Sequence, residues 1–127
     1  MICGIIATHG KLGEELIRTA EKIAGPQERL YFVSNEGLGV DALAGVISDH
    51  VQGCDTPGGI IIMTDIPGGS PSLACRSLRL EGRRTWVVSG ANLPMLLAFI
   101  LCRDSMEPGE VAEVIAARAA KAIEVVD

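Results

Sequence analysis

The sequence predicts an α/β protein built on a doubly wound, mainly parallel sheet with helices on both faces. Four short segments without charged residues are rich in Ile, Val and Leu, as expected of strands covered on both faces. Segments with helical periodicity separate them, and strands that alternate with helices form parallel sheets. The length of 127 residues suits one compact domain, which we expect to span residues 1–127.

The predicted strands and helices alternate along most of the chain. Strands are predicted at residues 1–7, 30–33, 60–63 and 85–88. Helices are predicted at residues 13–24, 40–51, 71–80, 93–102 and 107–122. Residues 123–126 are mostly apolar and β-branched, which is typical of a closing strand.

The first two helices are amphipathic. The inward residues predicted for the first helix are Leu16, Ile17, Ala20, Ile23 and Ala24. Those predicted for the second are Leu43, Val46, Ile47 and Val51, and His50 is expected to pack near its end. In the third helix, Ser70 is the expected N-cap and Pro71 the expected first helical residue.

The fourth helix, with Asn92 as its expected N-cap, is apolar nearly all round. Such a helix must be buried on more than one side. In so small a domain this predicts a subunit interface, and a deep core position is the alternative.

Composition and charge narrow the classes of function. Hydrophobic residues make up 48% of the chain and aromatic residues 3%, so the core is predicted to be aliphatic. A net charge of −5 argues against a nucleic-acid partner. No apolar run reaches the roughly 18–20 residues of a membrane span, and the N-terminus lacks a signal-peptide pattern. We therefore expect a soluble, cytoplasmic protein.

The four cysteines carry no metal-binding or redox motif. They are widely spaced and contain no Cys-x-x-Cys pair. Cys3, Cys75 and Cys102 lie in apolar runs, which predicts small buried thiols. We expect neither a metal site nor a cofactor.

Polar residues follow three of the predicted strands. His9 follows the first, Asp65 follows the third, and Ser89 and Asn92 follow the fourth. The carboxyl ends of parallel strands meet at one edge of the sheet, where ligands bind. If the first and third strands are neighbours, His9 and Asp65 face each other across the crevice.

This pair predicts a nucleophilic histidine. A carboxylate that binds one imidazole nitrogen leaves the other nitrogen free to attack. The backbone N–H groups of Gly68, Gly69 and Ser70, with the Ser70 hydroxyl, are expected to bind a phosphate-sized anion. Together these features predict phosphoryl transfer onto His9. Further candidate site residues are Thr8, Gly10, Ser89 and Asn92.

Several nucleotide and hydrolase motifs do not occur in the sequence. It contains no G-x-x-x-x-G-K-[ST], no G-x-G-x-x-G after the first strand and no G-x-S-x-G. The phosphoryl group is therefore expected to come from one protein and to pass to another.

Three segments carry a resemblance to a known family. They are residues 6–10 (Ile-Ala-Thr-His-Gly), 65–71 (Asp-Ile-Pro-Gly-Gly-Ser-Pro) and 90–96 (Gly-Ala-Asn-Leu-Pro-Met-Leu). In this order they resemble the IIA component of the mannose/fructose/sorbose family of the bacterial phosphoenolpyruvate-dependent sugar phosphotransferase system.

The resemblance implies a cytoplasmic phosphocarrier that serves sugar uptake or its regulation. His9 would accept a phosphoryl group from phospho-HPr and pass it to a IIB component, and Asp65 would hold His9. The resemblance also implies an indirect association with a membrane sugar permease. It further implies a homodimer that exchanges a C-terminal strand, for which residues 123–126 are the candidate.

The sequence departs from the better known mannose members at two positions. Lys11 and Pro67 stand where those proteins often have aromatic residues, so the surface around His9 is less aromatic. The sequence ends at Asp127 without a fused IIB domain, so a separate IIB partner is expected.

Two alternatives use the same crevice. A receiver-like signalling domain would be phosphorylated on Asp65, but it needs acidic residues after its first strand to hold Mg²⁺, and this chain has Thr8 and His9 there. A non-catalytic small-ligand binder would explain the glycines but would leave the pairing of His9 with Asp65 without a purpose.

Overall fold

The computed structural model describes residues 1–54, 57–78 and 84–127. Within these ranges the chain forms four strands and five helices. In chain order they are β1 (Cys3–Thr8), α1 (Leu12–Ala24), β2 (Leu30–Ser34), α2 (Val40–Gly53), β3 (Ile60–Thr64), α3 (Ser70–Cys75), β4 (Thr85–Ser89), α4 (Leu93–Cys102) and α5 (Pro108–Lys121).

The strands form one parallel sheet in the order β2-β1-β3-β4. In β1, Ala7 pairs with Val33 on one side and with Thr64 on the other, which fixes the register at the carboxyl edge. Helices α1, α4 and α5 contribute to the apolar cluster on one face, and α2 and α3 contribute to the cluster on the other. The predicted doubly wound α/β fold is confirmed.

The two central strands supply both apolar clusters. Every residue of β1 and of β3 is buried, and successive side chains point to opposite faces of the sheet. Ile5 and Ile62 therefore join the cluster under α2 and α3, whereas Ile6 and Met63 join the cluster under α4 and α5. This double burial is why these strands contain no charged side chain.

Helix α4 packs directly on the backbone of β1 at Gly4. A Cβ atom added to Gly4 would lie 2.7 Å from Cε2 of Phe99 and 2.9 Å from Cδ1 of Leu30. Phe99 is fully buried, so its ring occupies the space that a larger residue at position 4 would need.

A buried arginine holds the start of β1 by hydrogen bonds. The Arg103 guanidinium donates to the Ile2 carbonyl from two nitrogens (3.1 and 2.6 Å) and to the Arg29 carbonyl (2.8 Å). It also stacks 4.9 Å from the centre of the Phe99 ring. Burial lowers the pKa of Arg103, and these carbonyl oxygens supply the hydrogen bonds that the charged group loses with water.

Helix α3 differs from the prediction at both ends. Its N-cap is Gly69, in extended conformation, and Ser70 is already helical. The Ser70 hydroxyl instead accepts a hydrogen bond from Asn35, so it does not act as the predicted cap. The helix ends at Cys75, short of the predicted residue 80, and residues 79–80 lie outside the described ranges.

Helix α4 is confirmed, with Asn92 as its N-cap. It packs against both α1 and α5, and this deep core position accounts for its buried residues. Leu101 on its outer side remains 72% exposed. The subunit interface stays a prediction.

The predicted closing strand at residues 123–126 is wrong for the isolated chain. These residues follow α5 without regular structure, and Val125 is 97% exposed. No strand of the described chain pairs with this segment, so its backbone gains no ladder of hydrogen bonds. The exchange of this segment with a second copy stays a prediction.

Two further predictions about burial and cysteine chemistry are wrong. Ile23 and Ala24 are exposed, because the apolar stripe of α1 continues past the cluster that Leu16 and Ile17 contact. The structure joins Cys3 and Cys54 in a disulfide, because the first residue of β1 faces the end of α2. The remaining cysteines, Cys75 and Cys102, are buried free thiols as predicted.

None of the helices in the described ranges is long and apolar enough to cross a membrane.

The contact at Gly4 predicts a large cost for one added methyl group. We expect Gly4→Ala to lower the free energy of unfolding by about 1–3 kcal/mol, because Phe99 and Leu30 must move out of their packed positions. Urea unfolding measures this change. Gly45→Ala is the matched control: Gly45 is an exposed helical residue with nothing near its missing Cβ, so this variant should gain about 0.5–1 kcal/mol. An unchanged unfolding free energy for Gly4→Ala would contradict the packing argument.

Candidate functional site

The crevice opens where the chain leaves β1 and β3. These strands are neighbours, yet α1 packs on one face of the sheet and α3 on the other, so the two loops diverge. His9 is the first residue after β1, and Asp65 is the first residue after β3. The topology thus places both residues at the switch point of the sheet, where α/β proteins bind ligands.

His9 and Asp65 are joined by two hydrogen bonds to one oxygen atom. Oδ2 of Asp65 accepts from the backbone N–H of His9 at 3.0 Å, and it lies 2.9 Å from Nδ1 of the His9 ring. Burial raises the pKa of Asp65. The hydrogen bonds from His9 and the positive charge of His9 together outweigh burial, and they hold the pKa of Asp65 below its ordinary value of 3.8. The carboxylate is therefore ionised at neutral pH.

This ionised carboxylate fixes the state of the histidine ring. A carboxylate accepts hydrogen bonds but cannot donate them, so Nδ1 of His9 carries the hydrogen. In the neutral ring the lone pair is then on Nε2. The His9 side chain is 47% exposed and that of Asp65 only 12%, so the nucleophile faces the crevice and its orienting group lies behind it.

Gly69 provides the space in which the His9 ring lies. A Cβ atom at Gly69 would lie 2.9 Å from Cε1 of His9, 3.6 Å from Nε2, and 2.8 Å from Cγ2 of Ile66. A side chain at this position would therefore overlap the ring and displace it. The loop has a left-handed residue at Gly68, whose φ of +79° favours glycine.

The same loop presents backbone N–H groups beside the ring. In the described part of the chain, the N–H groups of Gly68 and Ser70 have no hydrogen-bond acceptor, whereas that of Gly69 donates to the Ile66 carbonyl at 3.4 Å. With only six residues, α3 adds a small dipole, so the individual N–H groups must supply the binding. Binding of a phosphate by these groups stays a prediction.

Three hydroxyl groups form hydrogen bonds that hold the loop after Asp65. Oγ1 of Thr64 lies 2.7 Å from Oγ of Ser72 and 2.9 Å from Oγ of Ser89. Ser72 donates to the carbonyl of Ile66 at 2.8 Å, which ties the turn after Asp65 to helix α3. Ser89, a predicted site residue, therefore lies in this cluster. Ser72 was missed by the sequence reasoning, because a serine inside a predicted helix gives no signal of its own.

Asn35 is a second residue that the sequence reasoning missed. It is the first residue after β2, and it bonds to both sides of the crevice: its Oδ1 accepts from the Gly10 N–H (3.1 Å), and its Nδ2 donates to Oγ of Ser70 (3.4 Å). The rule that predicted His9 and Asp65, a polar residue directly after a parallel strand, also applies to Asn35.

The other predicted site residues have structural roles. Thr8 is buried, and its hydroxyl accepts from the Gly13 N–H at 2.8 Å, at the start of α1. Gly10 has a left-handed φ of +55°, which brings its N–H to Asn35. Asn92 accepts from the Met95 N–H at 2.9 Å and donates to the Ala119 carbonyl at 3.2 Å, so both ends of its amide are engaged.

The second histidine lies away from this site. The His50 ring packs at 5.8 Å from that of Tyr31, near the end of α2, which confirms its predicted packing role. Among residues 1–54, 57–78 and 84–127, no three His, Cys, Asp or Glu side chains cluster so that they could hold a metal ion.

The fold and the site together define a class of protein: a parallel α/β protein with a carboxylate-oriented histidine at the switch point of its sheet. Comparison with known proteins gives the family. The model of the EIIA-man family, described as "PTS system fructose IIA component", matches residues 4–116. The chain belongs to this family, the mannose/fructose-type IIA components of the phosphotransferase system.

Individual relatives agree with this assignment. The mannose-specific EIIAB component of Escherichia coli is 31% identical over 101 residues, which cover 79% of this chain but 31% of that longer protein. The fructose-specific EIIA component of Bacillus subtilis is 28% identical over 107 residues, covering 84% of this chain and 73% of that protein. The crystal structure of an EIIA component from Streptococcus agalactiae superposes with a TM-score of 0.90 at 26% identity, covering 98% of this chain and 97% of that one.

The lowered pKa of Asp65 predicts how stability depends on pH. Because the folded-state pKa lies below 3.8, the carboxylate stabilises the fold above that pH, and this contribution disappears as the pH falls through the folded value. We expect the difference in unfolding free energy between the wild type and Asp65→Asn to shrink as the pH falls below about 4. Urea unfolding across this range measures the difference. A difference that grows as the pH falls from 4 to 2 would contradict the assignment.

The contact at Gly69 predicts that one methyl group displaces the histidine. In Gly69→Ala, the added Cβ and the His9 ring cannot occupy the same space, so the bond between His9 and Asp65 should be lost or lengthened. ¹⁵N NMR of His9 should then show a mixture of ring tautomers, where the wild type shows hydrogen on Nδ1. Gly53→Ala is the control, because nothing lies near its missing Cβ. A wild-type spectrum for Gly69→Ala would refute this role of the glycine.

Proposed function

We propose that this protein is a phosphocarrier that accepts a phosphoryl group on Nε2 of His9 and passes it to another protein. The observation that carries the proposal is the shared Asp65 oxygen, which holds the hydrogen on Nδ1 and leaves Nε2 as the exposed nucleophile. Membership of the IIA family supports it, because family and site point to the same chemistry.

The proposed transfer needs no proton to move. The Nε2 lone pair attacks phosphorus, the new P–N bond forms, and the bond from phosphorus to the donor's leaving atom breaks. The His9 ring then carries positive charge with its hydrogen still on Nδ1, and the Asp65 carboxylate stabilises that charge at 2.9 Å. The N–H groups of Gly68 and Ser70 are proposed to bind the phosphoryl oxygens.

The proposed partners follow from the family. Phospho-HPr would be the donor and a separate IIB protein the acceptor, in the service of sugar uptake or its regulation. The association with a membrane permease would then be indirect. We further propose a cytoplasmic homodimer in which the exposed residues 123–126 pair with a second copy.

The arrangement disfavours the receiver-like alternative. A receiver would need the Asp65 carboxylate to attack phosphorus, but this side chain is 12% exposed and its Oδ2 already binds His9 twice. The small-ligand alternative leaves the oriented histidine without a role. The phosphorylation experiment below distinguishes both alternatives from the proposed function.

Phosphorylation of purified variants tests the proposal. Incubation with phosphoenolpyruvate, enzyme I and HPr should add one phosphoryl group to the wild type, as measured by intact mass. The modification should be lost in acid and survive base. His9→Ala should abolish it because the nucleophile is gone, whereas His50→Ala, which removes the other histidine, should retain it.

The alternatives give different results in this experiment. A phosphate that persists in His9→Ala and is labile in both acid and base would identify Asp65 as the acceptor and favour the receiver. Absence of phosphate from a folded wild type in the presence of active phospho-HPr would contradict the proposed function.

A further inference from the structure

We propose that Asn35 is a positioning residue for this transfer: its side-chain amide directs the hydrogen of the Ser70 hydroxyl toward a phosphoryl group on His9. The inference rests on the function proposed above and deepens it, because it assigns a residue that sets the hydrogen bonding of the phosphorylated site. Asn35 belongs to the loop after β2, which supplies neither His9 nor Asp65.

The backbone of Asn35 is fixed from both sides. Its N–H donates to the Thr8 carbonyl at 3.1 Å, which continues the pairing of β2 with β1 by one residue. Its carbonyl accepts from the Leu38 N–H at 3.0 Å. The side chain therefore starts from a defined place beside the end of β1.

The orientation of the amide follows from its partners. The Gly10 N–H is a donor only, so the amide oxygen of Asn35 must face it, at 3.1 Å. The amide nitrogen then points to Ser70, 3.4 Å from its Oγ. Asn35 thus connects the loop that carries His9 with the first residue of α3.

The direction of the second bond decides what Ser70 can do. The Asn35 amide nitrogen only donates, so the Ser70 hydroxyl accepts there and keeps its own hydrogen for another partner. No other hydrogen bond of this hydroxyl occurs within the described ranges, so its hydrogen is not committed to the protein.

Ser70 follows the residue that packs against the His9 ring, so a phosphoryl group on His9 would be added next to this turn. A Cβ atom added at Gly69 would lie 2.9 Å from Cε1 and 3.6 Å from Nε2 of His9, so the backbone before Ser70 borders the edge of the ring that would be phosphorylated. A hydroxyl that donates to a phosphoryl oxygen favours the doubly charged form and stabilises charge that builds up during transfer. Removal of either Asn35 or Ser70 should therefore impair the same interaction.

A double-mutant cycle tests this dependence. The wild type, Asn35→Ala, Ser70→Ala and the double variant are phosphorylated with phosphoenolpyruvate, enzyme I and HPr. Single-turnover phosphorylation rates are then measured, together with the pH titration of the phosphohistidine ³¹P resonance. The titration reports the pKa of the phosphoryl group, which a merely structural role of Asn35 would leave unchanged.

We expect each single variant to slow phosphorylation about tenfold and to raise the pKa of the phosphoryl group, because a donor to the charged form is lost. The double variant should be no slower and no further shifted than Ser70→Ala. Losses that multiply to about a hundredfold would overturn the inference, since Asn35 would then act independently of Ser70.

Control variants separate this role from folding. Ser77 lies beyond the end of α3, and its hydroxyl donates to the Ala74 carbonyl. Ser77→Ala should therefore keep the wild-type phosphorylation rate and the wild-type pKa of the phosphoryl group. Asn35→Asp retains an oxygen for the Gly10 N–H but cannot donate to Ser70, so it should lose rate even if Asn35→Ala is too unstable to study. If the wild type is phosphorylated and Asn35→Asp is phosphorylated at the same rate, this inference is overturned and the proposed function is not. An unphosphorylated wild type would overturn the proposed function itself.

Discussion

One carboxylate oxygen organises the crevice of this protein. Oδ2 of Asp65 accepts both the backbone N–H and the ring nitrogen of His9, so it fixes the position of the residue and the state of its ring together. This arrangement requires β1 and β3 to be parallel neighbours whose chains leave on opposite faces. The apolar content of these two strands therefore serves the site as well as the core, because it buries them at the centre of the sheet.

Close packing against glycine occurs in the core and again at the site. Gly4 leaves room for the Phe99 ring, and Gly69 leaves room for the His9 ring. In both places an added Cβ would lie too close to an aromatic carbon, at 2.7 Å from Phe99 and 2.9 Å from His9, so glycine lets the ring pack against the backbone. In the core this contact brings α4 onto β1, and at the site it keeps the imidazole on its carboxylate.

The surroundings of the histidine consist largely of hydroxyl and amide groups. Thr64, Ser72 and Ser89 support the turn after Asp65, and Asn35 connects the loop of His9 to Ser70. These neutral groups hold the loops without adding charge of their own.

The sequence by itself determined the fold class, the four strands of the sheet and the two residues of the central pair. Uncharged strands, helical periodicity and polar residues placed directly after strands are local patterns, and each reflects burial or topology that holds throughout this type of sheet. The family resemblance rested on short segments around the same loops. The cap of α4 at Asn92 was likewise local and was predicted correctly.

Only the tertiary structure decided which groups meet across the sheet. Asn35 and Ser70 are 35 residues apart, and Cys3 and Cys54 are 51 apart, so no spacing in the sequence connects them. The N-cap of α3 moved from Ser70 to Gly69 because the hydroxyl has a partner on another loop. Local propensity specifies what one segment can form, whereas hydrogen bonds between distant segments depend on the register and packing of the whole sheet.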